Sequence, residues 1–216
     1  MTVVGKEEWV KQLRTASRVV RFSPARLPPE KLEEILEAGC QTASPWNLQP
    51  WRFIVAQAES TRAQVLRSCP EPGPATDAPA LVIGLGDPRA WKQAPLRLRE
   101  LMQSGSLTPG NEATHLGRIQ QQWSVGDTAR VFAIAQTHAA LQQILLTALA
   151  CDICGWWIHE FDADGLARTL HIPDNLVVVG VLALGYCADR AALPTASLAR
   201  TVFAEAYGLP WRKNGA

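Results

Sequence analysis

Ala43-Ser44-Pro45-Trp46-Asn47-Leu48-Gln49-Pro50-Trp51 runs directly into Arg52-Phe53-Ile54-Val55-Ala56. Two prolines and an asparagine stop any helix arriving from the N-terminal side, and the β-branched and aromatic run behind them has the make-up of a buried strand. The combination predicts a stiff polar loop held against a core strand. Such a loop offers a Ser hydroxyl, Asn and Gln amides and backbone N–H groups at a fixed place, between two indoles able to stack on a flat aromatic ligand. An ordinary proline-rich turn before a core strand has the same local signature, so the rest of the chain has to decide between them.

Outward from this stretch the pattern alternates between helices and strands. Pro28-Pro29-Glu30 opens a helix whose stripe is Leu32, Ile35 and Leu36, with proline tolerated in the first turn. Beyond the strand, Ser60 to Cys69 reads as a short helix and Pro70 to Pro74 as a connector. Pro79 to Gly86 and Leu176 to Tyr186 are apolar on both faces and read as central strands. Asp127 to Ala150 is the longest helical stretch, apolar on nearly every side, while Gln136, His138, Gln142 and Gln143 argue against a membrane span. His138 reads as a hydrogen-bonded core histidine rather than a ligand. Asp162 is placed to cap a helix running to Leu170. From Glu7 to about Val20 the spacing of Trp9, Val10, Leu13 and Ala16 predicts a first amphipathic helix. Its end is a basic knot, Arg14 to Phe22, read either as solvated charge or as a phosphate clamp of Arg forks and hydroxyls.

The chain has 216 residues, 47% apolar and 19% charged, with a net charge of +1. That supports one domain spanning 1–216, and the absence of a Lys/Arg stripe excludes the electrostatic footprint of a nucleic-acid or anionic-membrane binder. A small-molecule partner is expected. With no secretory signal pattern, a cytoplasmic location is expected. Five cysteines at irregular spacing suggest free, mostly buried thiols rather than a disulfide framework. Cys151-x-x-Cys154 reads as two packed thiols at a helix end, with dithiol or metal chemistry as the other reading.

The loop wording resembles the signature of the nitroreductase-like FMN-dependent oxidoreductase family, Pro-Ser-Ser-x-Asn-x-Gln-Pro-Trp. Ser44, Asn47, Gln49, Pro50 and Trp51 match, whereas Ala43, Pro45 and Trp46 depart from it. Weaker agreements follow in order from about Arg14 to Trp211. They include a Leu-Gly-Tyr ending at Tyr186 and Ile158-His159-Glu160-Phe161-Asp162, where the family has Ile-Glu/Gly-Gly-Phe-Asp. The resemblance implies an α+β sandwich with a mostly antiparallel central sheet covered by helices, homodimeric, the region of about 87–126 being variable and shaping substrate access. It implies FMN as cofactor and NAD(P)H as co-substrate, with hydride passed on to a nitroaromatic, quinone or enone-like acceptor, and no metal. Cofactor contacts would fall to Ser17, Arg18, Arg21, Ser44, Pro45, Trp46, Asn47, Gln49, His159, Glu160 and Arg200. His159 is either a proton donor or a surface residue, and Trp46, Trp156 and Trp157 would narrow the open face. Departures stand at Arg18 and Val20 in the phosphate motif and at Thr195 and Ala196, where the family has a basic pair. Two other readings fit: a flavin-dependent dehydrogenase or dehalogenase, and a non-catalytic flavin-binding protein.

Overall fold

The computed structural model describes residues 17–124, 127–194 and 197–211, with Ser17 and Arg18 described as backbone only. Four antiparallel strands form the central sheet in the order β2 (Trp51–Ala56), β3 (Ala80–Gly86), β5 (Val177–Gly185), β4 (Cys154–Ile158). A second, two-stranded antiparallel sheet joins β1 (Ser17–Phe22) to β6 (Cys187–Ala192). The helices are α1 (Pro29–Cys40), α2 (Glu59–Arg67), α3 (Ala94–Gln103), α4 (Glu112–Trp123), α5 (Thr128–Ala150), α6 (Ala163–Thr169) and α7 (Leu198–Thr201). The α+β class and the antiparallel sheet under helices are as the sequence implies. Among the described residues no helix is long and apolar enough to cross a membrane.

The period of two along β3 explains the layers. Leu81, Ile83 and Leu85 pack with Val181, Ala183, Val65 and Leu166 on one face, joined by Val19 and Phe22 of β1. Ala80 and Val82 turn to the other face, against Leu141, Ile144 and Ala148 of α5 and Leu32 and Ile35 of α1. All seven residues of β3 are buried, which is why that strand carries no polar side chain to mark an outer face. Gly84 is required by packing: an added Cβ would sit 2.5 Å from Leu141 Cδ1, so the missing side chain is what seats α5 on the sheet. A third cluster stands apart, made by Leu48, Ala94, Leu98, Ile119 and Trp123, and it fastens α3 and α4 to the loop before β2.

The structure corrects several expectations. Residues 7–16 of the first predicted helix lie outside the described residues, but Ser17 to Val20 belong to a strand. Their β-branched pair is drawn into a ladder with β6, Arg18 opposite Ala191 and Val19 opposite Arg190, a pairing no local pattern announces. The helix α4 and strand β6 were not read from the sequence. Asp162 does occupy the N-cap position of α6 but makes no side-chain cap hydrogen bond. The cysteine expectation also changes: Cys154 is disulfide-bonded to Cys187, leaving Cys40 exposed, Cys151 half-buried and Cys69 buried as free thiols. Cys151 packs with the α5 side of the sheet and Cys154 with the opposite side. The C-x-x-C pair is therefore split by the sheet and forms neither a dithiol nor two packed free thiols.

Candidate functional site

The loop before β2 is built from strained backbone that its own side chains hold. Ser44 is extended, Pro45–Asn47 is a short 3-10 turn, and Trp46, Asn47 and Gln49 carry φ of 54°, 53° and 45°. Non-glycine residues in this left-handed region cost on the order of 1 kcal/mol each or more, so something must over-determine them. Gln49 N–H donates to Ser44 Oγ at 3.0 Å and Gln49 Nε2 donates to Asn47 Oδ1 at 2.8 Å. Below them Leu48 is fully buried, and Asp87 N–H donates to Pro50 O at 2.7 Å, tying the loop to the end of β3. The Trp46 ring packs on His115 of α4 with centroids 4.7 Å apart. The Asn47 Nδ2 amide donors and the Gln49 Oε1 acceptor make no hydrogen bond among the described residues. A rigid loop with spare amide groups is the form the sequence predicts.

The second assembly lies at the other edge of the sheet. Gly155, Trp156 and Trp157 of β4, His159 and Glu160 beyond it, Leu145 of α5, Val19 of β1, Leu193 and Glu71 line a cavity of ≈ 570 Å³. The indole of Trp157 lies 5.5 Å from the His138 ring. His138 itself is exposed, so it is not the core histidine the sequence suggests. Neither His159 nor Glu160 has a positive φ. The replacement of a Gly-containing pair by His and Glu therefore introduces no backbone strain, and main-chain N–H groups remain presentable there.

The other sequence-predicted residues are placed as follows. Ser17 and Arg18 stand on β1 next to cavity-lining Val19, opposite Ala192 and Ala191. Arg21 is not in this cavity. It donates from Nη2 to Asp189 Oδ2 at 3.0 Å, both side chains more than half exposed, and lines a separate cleft of ≈ 980 Å³ with Arg26 and Arg62. Arg190 is the register partner of Val19, whereas Arg200 sits exposed on α7. Thr195 and Ala196 lie outside the described residues. Pro45 is exposed at the tip of the loop. Trp46 is half-buried, turned into the cluster of α3 and α4. His115, which sequence reading missed, has a buried Nδ1 without a hydrogen-bond partner among the described residues. Its only local signal was its place in an unread amphipathic helix.

The two assemblies lie at opposite edges of the sheet, the loop at the level of Val177 and the cavity running along β4 from Gly155, opposite Leu184, to His159. Trp51, where the loop enters β2, pairs with Gly86, which pairs with Val177; Ile158, before His159, pairs with Val181. With β3 and β5 between β2 and β4, three strand spacings separate them, roughly 14 Å. They do not meet within one chain.

Comparison with known proteins is consistent along the chain. The family model described as Nitroreductase family matches residues 14–186. YodC of Bacillus subtilis, named for NAD(P)H nitroreductase activity, is 27% identical over 163 residues, covering 74% of this chain and 80% of that protein. A Thermus thermophilus protein named NADH dehydrogenase is 26% identical over 171 residues, covering 79% and 82%. Among solved structures, ydfN of Bacillus subtilis superposes with a TM-score of 0.83 at 19% identity, covering 92% of this chain and 99% of that one. A protein of Exiguobacterium sibiricum solved in complex with FMN gives 0.77 at 21% identity, covering 92% and 95%.

Proposed function

Because the chain belongs to the nitroreductase family, we propose that it is an FMN-dependent oxidoreductase working as a homodimer, with each site assembled from two copies. The observation that carries this reading is the separation of the rigid amide-bearing loop from the indole-walled cavity. Each supplies part of what a flavin needs, and three strand spacings, roughly 14 Å across the sheet, lie between their edges; a second copy would bring the loop of one chain to the cavity of the other. The exposed stripe of α5 offers a surface for that copy. Val131, Ala135, Ala139 and Gln142 follow one another along its solvent side, and Val131 is 62% exposed. The exposed Val131, Ala135 and Ala139, one helical turn apart, suit close helix pairing.

The residues present fit the cofactor. Trp157 gives an apolar surface on the α5 face of β4 and Trp156 one on the opposite face, the main chain at His159 and Glu160 gives N–H donors for the polar ring edge, and Asn47 and Gln49 give the spare amide groups noted above. Ser17 and Arg18 belong to the strand that carries Val19 into the cavity, and the family resemblance gives that segment the phosphate of the cofactor. Arg21 and Arg200 are left with at most a supporting role. When bound, FMN supplies hydride acceptance from NAD(P)H and its delivery to a nitroaromatic, quinone or enone-like acceptor. The chain's own part is to orient the ring, to place N–H dipoles where negative charge accumulates, and to exclude water with the tryptophans. His159, exposed at the cavity rim, would give a proton to the reduced acceptor in this reading.

An absorbance spectrum of the purified protein, before and after anaerobic NAD(P)H, tests the reading. A yellow protein that bleaches on NAD(P)H and recolours with an acceptor supports it. Colourless protein that fails to retain added FMN at micromolar concentration overturns it. Yellow protein that NAD(P)H leaves unbleached would mark a flavin binder without this catalysis, a reading favoured by Thr195 and Ala196 standing where the family has a basic pair.

A further inference from the structure

The disulfide between Cys154 and Cys187 lies where the two sheets meet. Cys154 opens β4 opposite Gly185, immediately before the cavity residues Gly155, Trp156 and Trp157. Cys187 opens β6, whose partner β1 carries Val19 into the same cavity and whose far end leads to Leu193, another lining residue. The bond thus couples opposing walls of one cavity. Without it the sheets are joined by the chain at Tyr186, by the hydrogen bond from Ser23 N–H to Tyr186 O at 2.7 Å, and by packing of Val19 and Phe22. All five cysteines of the chain are described, and no second disulfide is present.

Accessibility distinguishes the two sulfurs' residues. Cys154 is 1% exposed, whereas Cys187 is half-buried at the start of an otherwise exposed strand. We infer that Cys187 is a thiol-exchange site through which a dithiol reductant loosens the cofactor cavity. A thiolate of the dithiol attacks Cys187 Sγ, the bond to Cys154 breaks, and Cys154 leaves as a thiolate that takes a proton. The reductant's second thiolate then attacks the mixed disulfide and releases Cys187 as a thiol. The cystine gains two electrons and two protons, and the dithiol becomes a disulfide. Cys151 takes no part, because the sheet holds it on the opposite face.

This inference rests on the cavity being the flavin wall, and its test separates the two. Protein purified without reductant is mapped for free thiols by alkylation and mass spectrometry. Its FMN dissociation constant and the amide exchange of residues 17–22 and 187–192 are then measured with and without dithiothreitol. The expected result is a Cys154–Cys187 cross-link, FMN binding weakened about tenfold on reduction, and faster exchange in the β1–β6 ladder. Cys187→Ser should reproduce the reduced state without dithiothreitol and be insensitive to it, while Cys40→Ser behaves as wild type. Free thiols at both positions in the unreduced protein overturn the inference, as does equal exchange and equal FMN affinity in the two states. If neither state retains FMN, the cofactor reading fails, and the exchange data alone decide the clamp: faster on reduction upholds it, unchanged refutes it.

Discussion

Replacing Gly84 by Ala probes the contact that seats the long helix on the sheet. The new Cβ would lie 2.5 Å from Leu141 Cδ1, 3.0 Å from Cγ and 3.2 Å from Cδ2. Carbon atoms rest at about 3.5–4.0 Å, so the closest pair overlaps by roughly 1 Å. Leu141 is fully buried, so its side chain can give way only by displacing packed neighbours. Overpacking of this kind costs about 1–3 kcal/mol, and an overlap of roughly 1 Å with a fully buried Leu141 side chain is taken at about 2.5 kcal/mol. Ala recovers roughly 0.5–1 kcal/mol of backbone entropy that Gly loses in a strand, leaving a net loss of about 2 kcal/mol. Leu141→Ala alone should cost about 2–5 kcal/mol through the cavity it opens. If steric conflict is the mechanism, the double variant should be no less stable than Leu141→Ala, giving a favourable coupling of at least about 2 kcal/mol. Urea unfolding at one protein concentration, followed by tryptophan fluorescence, reads this as a midpoint difference of about 1 M for an ordinary slope. Additivity within about 0.5 kcal/mol would refute the packing argument. Leu145, one turn along α5, lines the cavity, so Gly84→Ala should also weaken FMN retention.

Three other outcomes follow from the same geometry. Ser44→Ala removes the acceptor for Gln49 N–H and should cost about 0.5–1.5 kcal/mol, with FMN retention falling several-fold; unchanged retention would separate the loop from the cofactor. Val131→Asp on the exposed stripe of α5 should shift sedimentation from dimer to monomer, and a persistent dimer would place the interface elsewhere. At pH 8, iodoacetamide should label Cys40 first, Cys151 more slowly and Cys69 only on unfolding. Burial pushes the Cys69 thiol above its ordinary value of 9.0, and burial followed by the nearby Glu34 carboxylate pushes up Cys151 against the pull of Lys31. The fold therefore favours the neutral thiols, a contribution that is whole below pH 9.0 and is lost as pH rises through the folded values. Tm should fall above that point, less steeply in Cys69→Ala.

What could be read in the sequence was whatever short-range pattern decides. The continuous apolar runs of β3 and β5, the long α5 and the proline-bounded loop need only their own residues to be recognised. The strand β1 is different, because its Ser-Arg-Val-Val-Arg-Phe becomes extended only through a partner near residue 190, and that partner, Cys-Ala-Asp-Arg-Ala-Ala, has no strand-like composition of its own. The disulfide escaped for the same reason: Cys154 and Cys187 are 33 residues apart, and their meeting follows from the corner between β5 and β6. At the candidate site, Ser44, Asn47 and Gln49 were legible because the loop's hydrogen bonds are local. Arg21 was not, since its Asp189 partner reaches it only across the β1–β6 ladder. The spacing of Leu116, Ile119 and Trp123 in α4 is local, but the contact that places His115 on Trp46 is not.

The placement of loop and cavity at opposite edges of one sheet has a genetic reading. A copy damaged only in the loop still owns a sound cavity, and a copy damaged only in the cavity still owns a sound loop. In the proposed homodimer, two individually inactive chains would rebuild one working centre out of every two, so recessive lesions at Asn47 and at Trp157 should complement each other in trans.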